Sequence, residues 1–380
     1  LKKHLRNVTF LSLSLIIILL ITGCSKKDSA SYISNLNIQD LNNQLIEETP
    51  NLNKYNIYMV GESHGTVGTF ITEFELIKYF YENHNVKNIL IETGHCTGSL
   101  LNNYIQNGDE KILNFVIKNT EGTFAYSNES ANFYRSLYEY NKKLPEDQHL
   151  ILYGVDVEHT YNNTGMYYLS TLLPKEEHPK EIAQVLNSLD FSLDREDSIQ
   201  VFENLTESTL EYPQIYRDYL GSNFEEFILS LENINQALNF YENDDFNLRE
   251  EHFTENTLRC YKDMGGKILT IFGGAHTDFS GLQGSKTVAQ SLSELYGTDK
   301  GGVLSISLEY FGSKNRKSHK KAQSFNSFAG PSLANRTKKD LTLFKLDAED
   351  KNEIIKSLAK GQQYAILIKY SPAVTPYKEL

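Results

Sequence analysis

Carboxylates and imidazoles stand where four apolar runs of the chain end. In Ile57-Tyr58-Met59-Val60-Gly61-Glu62-Ser63-His64-Gly65-Thr66 the run is apolar through Val60, turns at a glycine and at once releases Glu62 and His64. A carboxylate and an imidazole this close, at the carboxyl end of a buried strand, can share a proton, hold a metal or activate water. Asn88-Ile89-Leu90-Ile91-Glu92-Thr93-Gly94-His95-Cys96 places Glu92 where its apolar stretch stops. Leu150-Ile151-Leu152-Tyr153-Gly154-Val155 is followed by Asp156 and Glu158, and Ile268-Leu269-Thr270-Ile271-Phe272-Gly273-Gly274-Ala275 by His276. One such end is as readily a solvated turn. Four of them predict a shared pocket, because parallel strands of an open sheet aim their carboxyl ends at one crevice.

The elements that would position these groups follow from apolar patterning. Short runs rich in Ile, Leu and Val mark strands at Ile57–Val60, Asn88–Ile91, Leu150–Val155, Lys267–Phe272, Val303–Leu308, Leu341–Leu346 and Tyr364–Lys369. Helical stripes separate the early ones: Phe70, Phe74, Ile77 and Phe80 within Thr69–Asn83, then Phe133, Leu137 and Tyr140 within Ala131–Lys143. This alternation predicts an α/β fold with a mostly parallel central sheet flanked by helices. From about Pro174 to Met264 no strand pattern occurs, so a helical insertion is expected between the third and fourth strands. It could serve as a lid or wall over the strand ends, or be a purely structural subdomain. Exposed loops are expected at Ser280–Lys286 and Gly312–Asn335, the second of them basic.

The start of the chain bears on compartment. Lys2, Lys3, His4 and Arg6 precede a short apolar run from Leu11 to Ile21, closed by Thr22-Gly23-Cys24. The run is too short for a stable span and matches a secretory signal, and small residues before a cysteine resemble a bacterial lipobox. The expectation is a signal peptide over 1–24, a lipidated Cys24, a polar tether over 25–35 and one domain over 36–380, held on the outer face of a bacterial cell membrane. Removing Lys2, Lys3 and Arg6 takes the formal net charge from −12 to about −15. That acidity disfavours nucleic acid, which needs a basic footprint, and leaves a small-molecule substrate as the expected partner. Only Cys96 and Cys260 remain, which is no disulfide framework and no zinc-type spacing.

These residues and spacings resemble the erythromycin esterase-like superfamily, related more distantly to haem-binding, iron-uptake lipoproteins. Gly61-Glu62-Ser63-His64-Gly65-Thr66 looks like the family's Gly-Glu-x-x-His-Gly element, and Ile91-Glu92 fits its second strand. Tyr134–Asn141 followed by Tyr153-Gly154-Val155-Asp156 is similar to its helix and Tyr-Gly-Leu-Asp strand. Arg249–Asn256 and Gly273-Gly274-Ala275-His276 resemble its arginine-bearing helix and late histidine strand. One residue separates Glu62 from His64 where the esterases have two, a spacing closer to the haem-binding relatives. The resemblance implies hydrolysis of an open or cyclic ester by water, without a covalent enzyme intermediate and without a required cofactor. His64 would be the general base, and Glu62 or Glu92 would orient its ring. His276 and Arg249 would bind substrate or stabilise the tetrahedral oxyanion. Arg249, Phe253, Asn256 and Cys260 share one helical face, which could aim the arginine inward. Asp156 and Glu158 would be further pocket residues.

Other chemistries fit parts of the pattern. Glu62, His64, Glu92 and His276 supply enough oxygen and nitrogen donors for a metal, although no His-Glu-x-x-His helix is present. Gly94-His95-Cys96-Thr97-Gly98, followed by Asp156 and His276, has the order of an α/β-hydrolase triad with a cysteine nucleophile. That reading leaves Glu62 and His64 unused. A surface protein that binds haem or another small ligand without turnover is the third reading, with tyrosines available as haem ligands.

Overall fold

The computed structural model describes residues 26–281 and 285–379. The expected signal segment and Cys24 lie outside them. The main sheet has seven strands: β1 (Ile57–Glu62), β2 (Asn88–Gly94), β3 (Ile151–Asp156), β4 (Ile268–Gly273), β5 (Val303–Phe311), β8 (Leu341–Lys345) and β9 (Tyr364–Lys369), in the order β3-β2-β4-β1-β5-β9-β8. Every neighbouring pair is parallel except β8 and β9. A small antiparallel hairpin, β6 (Ser313–Asn315) with β7 (Gln323–Phe325), occupies the expected basic loop.

Side-chain alternation explains why these short runs become buried strands. Successive residues of a strand face opposite sides of its sheet. Tyr58, Val60, Ile89, Ile91, Leu269 and Ile271 join one apolar core, under the helices Val67–His84 and His95–Asn107. Their neighbours Ile57, Met59, Leu90, Ile268 and Phe272 join a second core with Phe253 and Val288, from the helices Phe246–Met264 and Val288–Tyr296. Each fully buried Leu, Ile or Phe contributes about 1.5–3 kcal/mol, so a charged residue in either face would be strongly selected against. The ionisable residues therefore gather at the strand ends.

Between β3 and β4 the chain is helical, from Tyr161 to Met264. These helices form the expected insertion around a core of their own that includes Tyr161, Phe202, Tyr216 and Phe227. The segment expected as a tether differs from that expectation. Lys26–Asn35 is a helix, and Tyr32 packs against the main core. A polar composition hid one aromatic anchor, which is enough to dock the end of this helix.

Two local features aim the site. β4 lies between β1 and β2, so three strand ends are direct neighbours, with Glu62 paired to Gly273 in register. In β2 the register with β3 shifts between Ile91 and Gly94, an irregularity of the kind that re-aims side chains at strand ends. The turn after His64 needs a glycine: Gly65 has φ +88°, and a Cβ there would lie 2.6 Å from the Arg316 carbonyl oxygen. Thr66 then caps the helix Val67–His84 by accepting from the Thr69 N–H.

Candidate active site

A cleft of about 150 Å³ opens at the carboxyl ends of β1, β2 and β4, on the side of the first core. Glu62, His64, Glu73 and Glu92 line it, with a wall that includes Phe70, Phe124, Phe133 and Tyr134. His64 is the exposed member, its side chain 45% accessible. Its Nδ1 pairs with Glu62 Oε1, and the negative charge of Glu62 pushes the imidazole up to about 10. The other Glu62 oxygen is buried and has no hydrogen-bond partner among the described residues.

Gly273 sits where the groups converge. A Cβ at this position would lie 3.0 Å from Glu92 Oε2, 3.5 Å from His64 Nε2 and 3.6 Å from His276 Cδ2. The strand ends expected to meet at Glu62, His64, Glu92 and His276 do meet, around a position where a side chain would intrude.

Glu92 joins this cleft to a second, sealed set of charges. Its Oε2 accepts from the Gly273 N–H, while Oε1 accepts from Arg249 Nη2 at 3.0 Å and pairs with His276 Nε2 at 3.3 Å. Arg249 also grips Asp156 with two bonds, Nε to Oδ1 at 3.0 Å and Nη2 to Oδ2 at 2.5 Å. Such forked pairs are strong and fix geometry. His276 is buried between Glu92 and Glu250, flanked by Phe246 and Phe253, and its Nδ1 contacts Glu250 Oε1. Burial alone would penalise these charges. Against it, His276, His64 and Arg249 hold the Glu92 carboxyl well below its ordinary range, and Arg249 and His159 do the same for Asp156. Glu92 and Glu250 likewise outweigh burial at His276 and push its imidazole up to about 10.

Several expectations need correction. Neither Arg249 nor His276 lines the cleft; both are committed to carboxylates and position Glu92. Asp156 is fully buried as the counter-charge of Arg249 and His159. Glu158 is not a pocket residue: its carboxylate accepts from the Thr97 N–H at 2.9 Å and from the Thr97 hydroxyl at 2.6 Å, closing the start of the helix His95–Asn107. Cys96 is fully buried in the core of the helical insertion, and burial pushes its thiol up, the reverse of what a nucleophile needs. Cys260 is a free thiol as well. The insertion does not cover the cleft, since no lining residue comes from 174–264. The wall comes instead from the segment between β2 and β3, where Phe124, Phe133 and Tyr134 lie.

Among the described residues no group of three or more His, Cys, Asp or Glu side chains is arranged to hold a metal ion. Of the donors counted in the sequence, Glu92 and His276 are spent on each other, on Arg249, on the Gly273 N–H and on Glu250. Among the described residues no helix is long and apolar enough to cross a membrane. Sequence reasoning missed three contributors: Glu73, Glu250 and the aromatic wall. Glu73 carried a signal, a carboxylate four residues before Ile77 and seven before Phe80, on a face those residues mark as buried.

Comparison with curated proteins finds no match. Solved structures share the fold. A histidine-to-asparagine variant of the erythromycin esterase EreC, in its open conformation, superposes with a TM-score of 0.62 at 14% identity, covering 89% of this chain and 96% of that one. A succinoglycan biosynthesis protein gives 0.63 at 14% identity, covering 88% and 92%. A protein from Bacillus cereus gives 0.61 at 16% identity, covering 88% and 94%. At these identities the likeness is one of fold. The erythromycin esterase family model matches residues 81–306, more than half of the sequence. This protein therefore belongs to the erythromycin esterase family.

Proposed function

We propose that this protein hydrolyses an ester or lactone by direct attack of water, with His64 as general base. The observation that carries the reading is the setting of His64. Glu62 holds Nδ1, the ring is accessible, and Nε2 faces the point where Gly273 leaves room beside Glu92. A water at Nε2 would lose its proton to the ring as it attacks the acyl carbon, and Glu62 would stabilise the imidazolium that forms. Glu92, immobilised by Arg249, His276 and the Gly273 N–H, would orient that water from the other side. No cofactor takes part in these steps.

The cleft is small beside the roughly 300–1,000 Å³ pockets that enclose drug-sized ligands. A large substrate would enter by its reacting bond and leave the rest against the aromatic wall. The site of action is proposed to be the outer face of a bacterial cell membrane, with Cys24 lipidated as anchor. The basic start, short apolar run and Thr22-Gly23-Cys24 support that placement.

Purified protein assayed on a panel of esters and lactones, with its metal content measured, tests the reaction. Turnover that survives chelation is expected. Absorbance in the Soret region with no turnover would replace hydrolysis by haem binding. Release of a Cys24→Ala variant from the membrane fraction tests the anchor.

A further inference from the structure

Glu73 is the one cleft carboxylate that the reaction above does not use. It stands on the buried face of the helix Val67–His84, one turn after Thr69, and both residues line the cleft with Glu62 and His64. Only 4% of the residue is accessible, yet its carboxyl accepts no hydrogen bond among the described residues. Thr69 spends its hydroxyl on the Ser63 carbonyl and on the Tyr310 hydroxyl. The groups around Glu73 are the phenols of Tyr134 and Tyr310, the Glu62 carboxylate, and His64, the one cation acting on it among the described residues. His64 is already paired with Glu62. A buried carboxylate with no donor and no cation of its own is costly, and the group avoids that cost by keeping its proton. Burial and the neighbouring Glu62 charge both push Glu73 well above the ordinary carboxylate range.

We infer that Glu73 is a catalytic acid: a neutral carboxylic acid facing the cleft, which delivers its proton to the alcohol oxygen leaving the substrate. The inference rests on the hydrolytic reading above and completes its proton balance. His64 takes one proton from water as the hydroxide oxygen bonds to the acyl carbon. The tetrahedral intermediate collapses, the carbon–oxygen bond to the alcohol breaks, and its electron pair stays on the alcohol oxygen. Glu73 protonates that oxygen, and the imidazolium of His64 returns a proton to Glu73 through water in the cleft. The sum is ester plus water giving acid plus alcohol, with both side chains restored.

The test compares two acetate esters on the full chain. A p-nitrophenyl ester expels an anion stable without a proton, whereas an alkyl ester needs an acid. Glu73→Gln, which keeps the shape and lacks the transferable proton, is expected to lower kcat/KM for the alkyl ester by about 100-fold or more and for the p-nitrophenyl ester by at most about tenfold. Glu73→Asp is expected to recover part of the alkyl rate. In wild type, the alkyl rate should stop climbing at a lower pH than the p-nitrophenyl rate, because it alone needs Glu73 protonated. Equal losses on both esters, or no loss on the alkyl ester, would overturn the assignment while leaving hydrolysis intact. If wild type turns over neither ester, the hydrolytic reading fails and takes this one with it. A Glu73→Gln variant too unstable to assay shifts the decision to the wild-type pH profiles, where coincident curves overturn it.

Discussion

The two halves of the strand-end cluster use the same residue types and do different things with them. On the open side, Glu62, His64 and Glu73 line a cleft, His64 is accessible, and one Glu62 oxygen lacks a hydrogen-bond partner among the described residues. On the sealed side, Asp156, His276 and Glu250 are buried among carboxylate pairs and rings, and the Arg249 side chain is only 15% accessible. Glu92 belongs to both. Chemistry needs groups whose protonation can change and whose valences are not all filled, so reactivity is expected on the open side and rigidity from the sealed one.

The largest expected effect of separating the halves is at Arg249. Arg249→Ala leaves buried Asp156 without its main cation, and stability is expected to fall by about 3–5 kcal/mol in denaturant titration. A loss below about 1 kcal/mol would place Arg249 among ordinary surface ion pairs and break the contrast.

Gly273→Ala reaches both halves at once. Its Cβ would press on Glu92 Oε2 at 3.0 Å and crowd the space beside His64 Nε2 at 3.5 Å. About a tenfold loss of kcat/KM is expected, worth about 1.4 kcal/mol in the barrier, with a smaller change in unfolding midpoint. Full activity would show that the point of convergence is not where substrate and water meet.

Proton linkage sharpens the comparison further. Pairing with Glu62 raises His64 from 6.5 to about 10 in the folded protein. The stabilisation from this pair is therefore fully present below pH 6.5 and is lost as pH rises through about 10. His64 works as a base only after losing that proton, so turnover of a p-nitrophenyl ester should climb with pH over the same window. A rate flat from pH 6 to 9 would assign the base elsewhere.

The smallest effect is expected at Cys96, which lies in neither half. Cys96→Ser should leave turnover unchanged and cost about 1–3 kcal/mol of stability, for a hydroxyl placed in an apolar core. A large loss of rate with intact folding would return the thiol to the mechanism.

Much of the fold could be read from the sequence because it obeys simple periodicities. All seven main-sheet strands coincide with apolar runs, and their alternate residues divide between two cores. The groups at Glu62, His64, Glu92 and His276 could be found because a strand releases polar residues where its burial ends. What the sequence could not reveal depends on strand order and on helices. That β4 lies between β1 and β2 decides which ends are neighbours, and local patterning carries no trace of it. Glu158, expected as a further pocket residue, turns its carboxylate onto Thr97 and a helix start. Glu73 was hidden because attention to strand ends passes over a helix, where its charge had to be weighed against the stripe around it.

The most direct measurement sets activity beside stability for one residue. His64→Ala should lose turnover of the ester panel by at least about 100-fold at a pH and temperature where it remains folded, its unfolding midpoint lowered only by the loss of the pairing with Glu62. A variant that still turns over ester at the wild-type rate would contradict the account, and so would a loss of turnover explained wholly by unfolding.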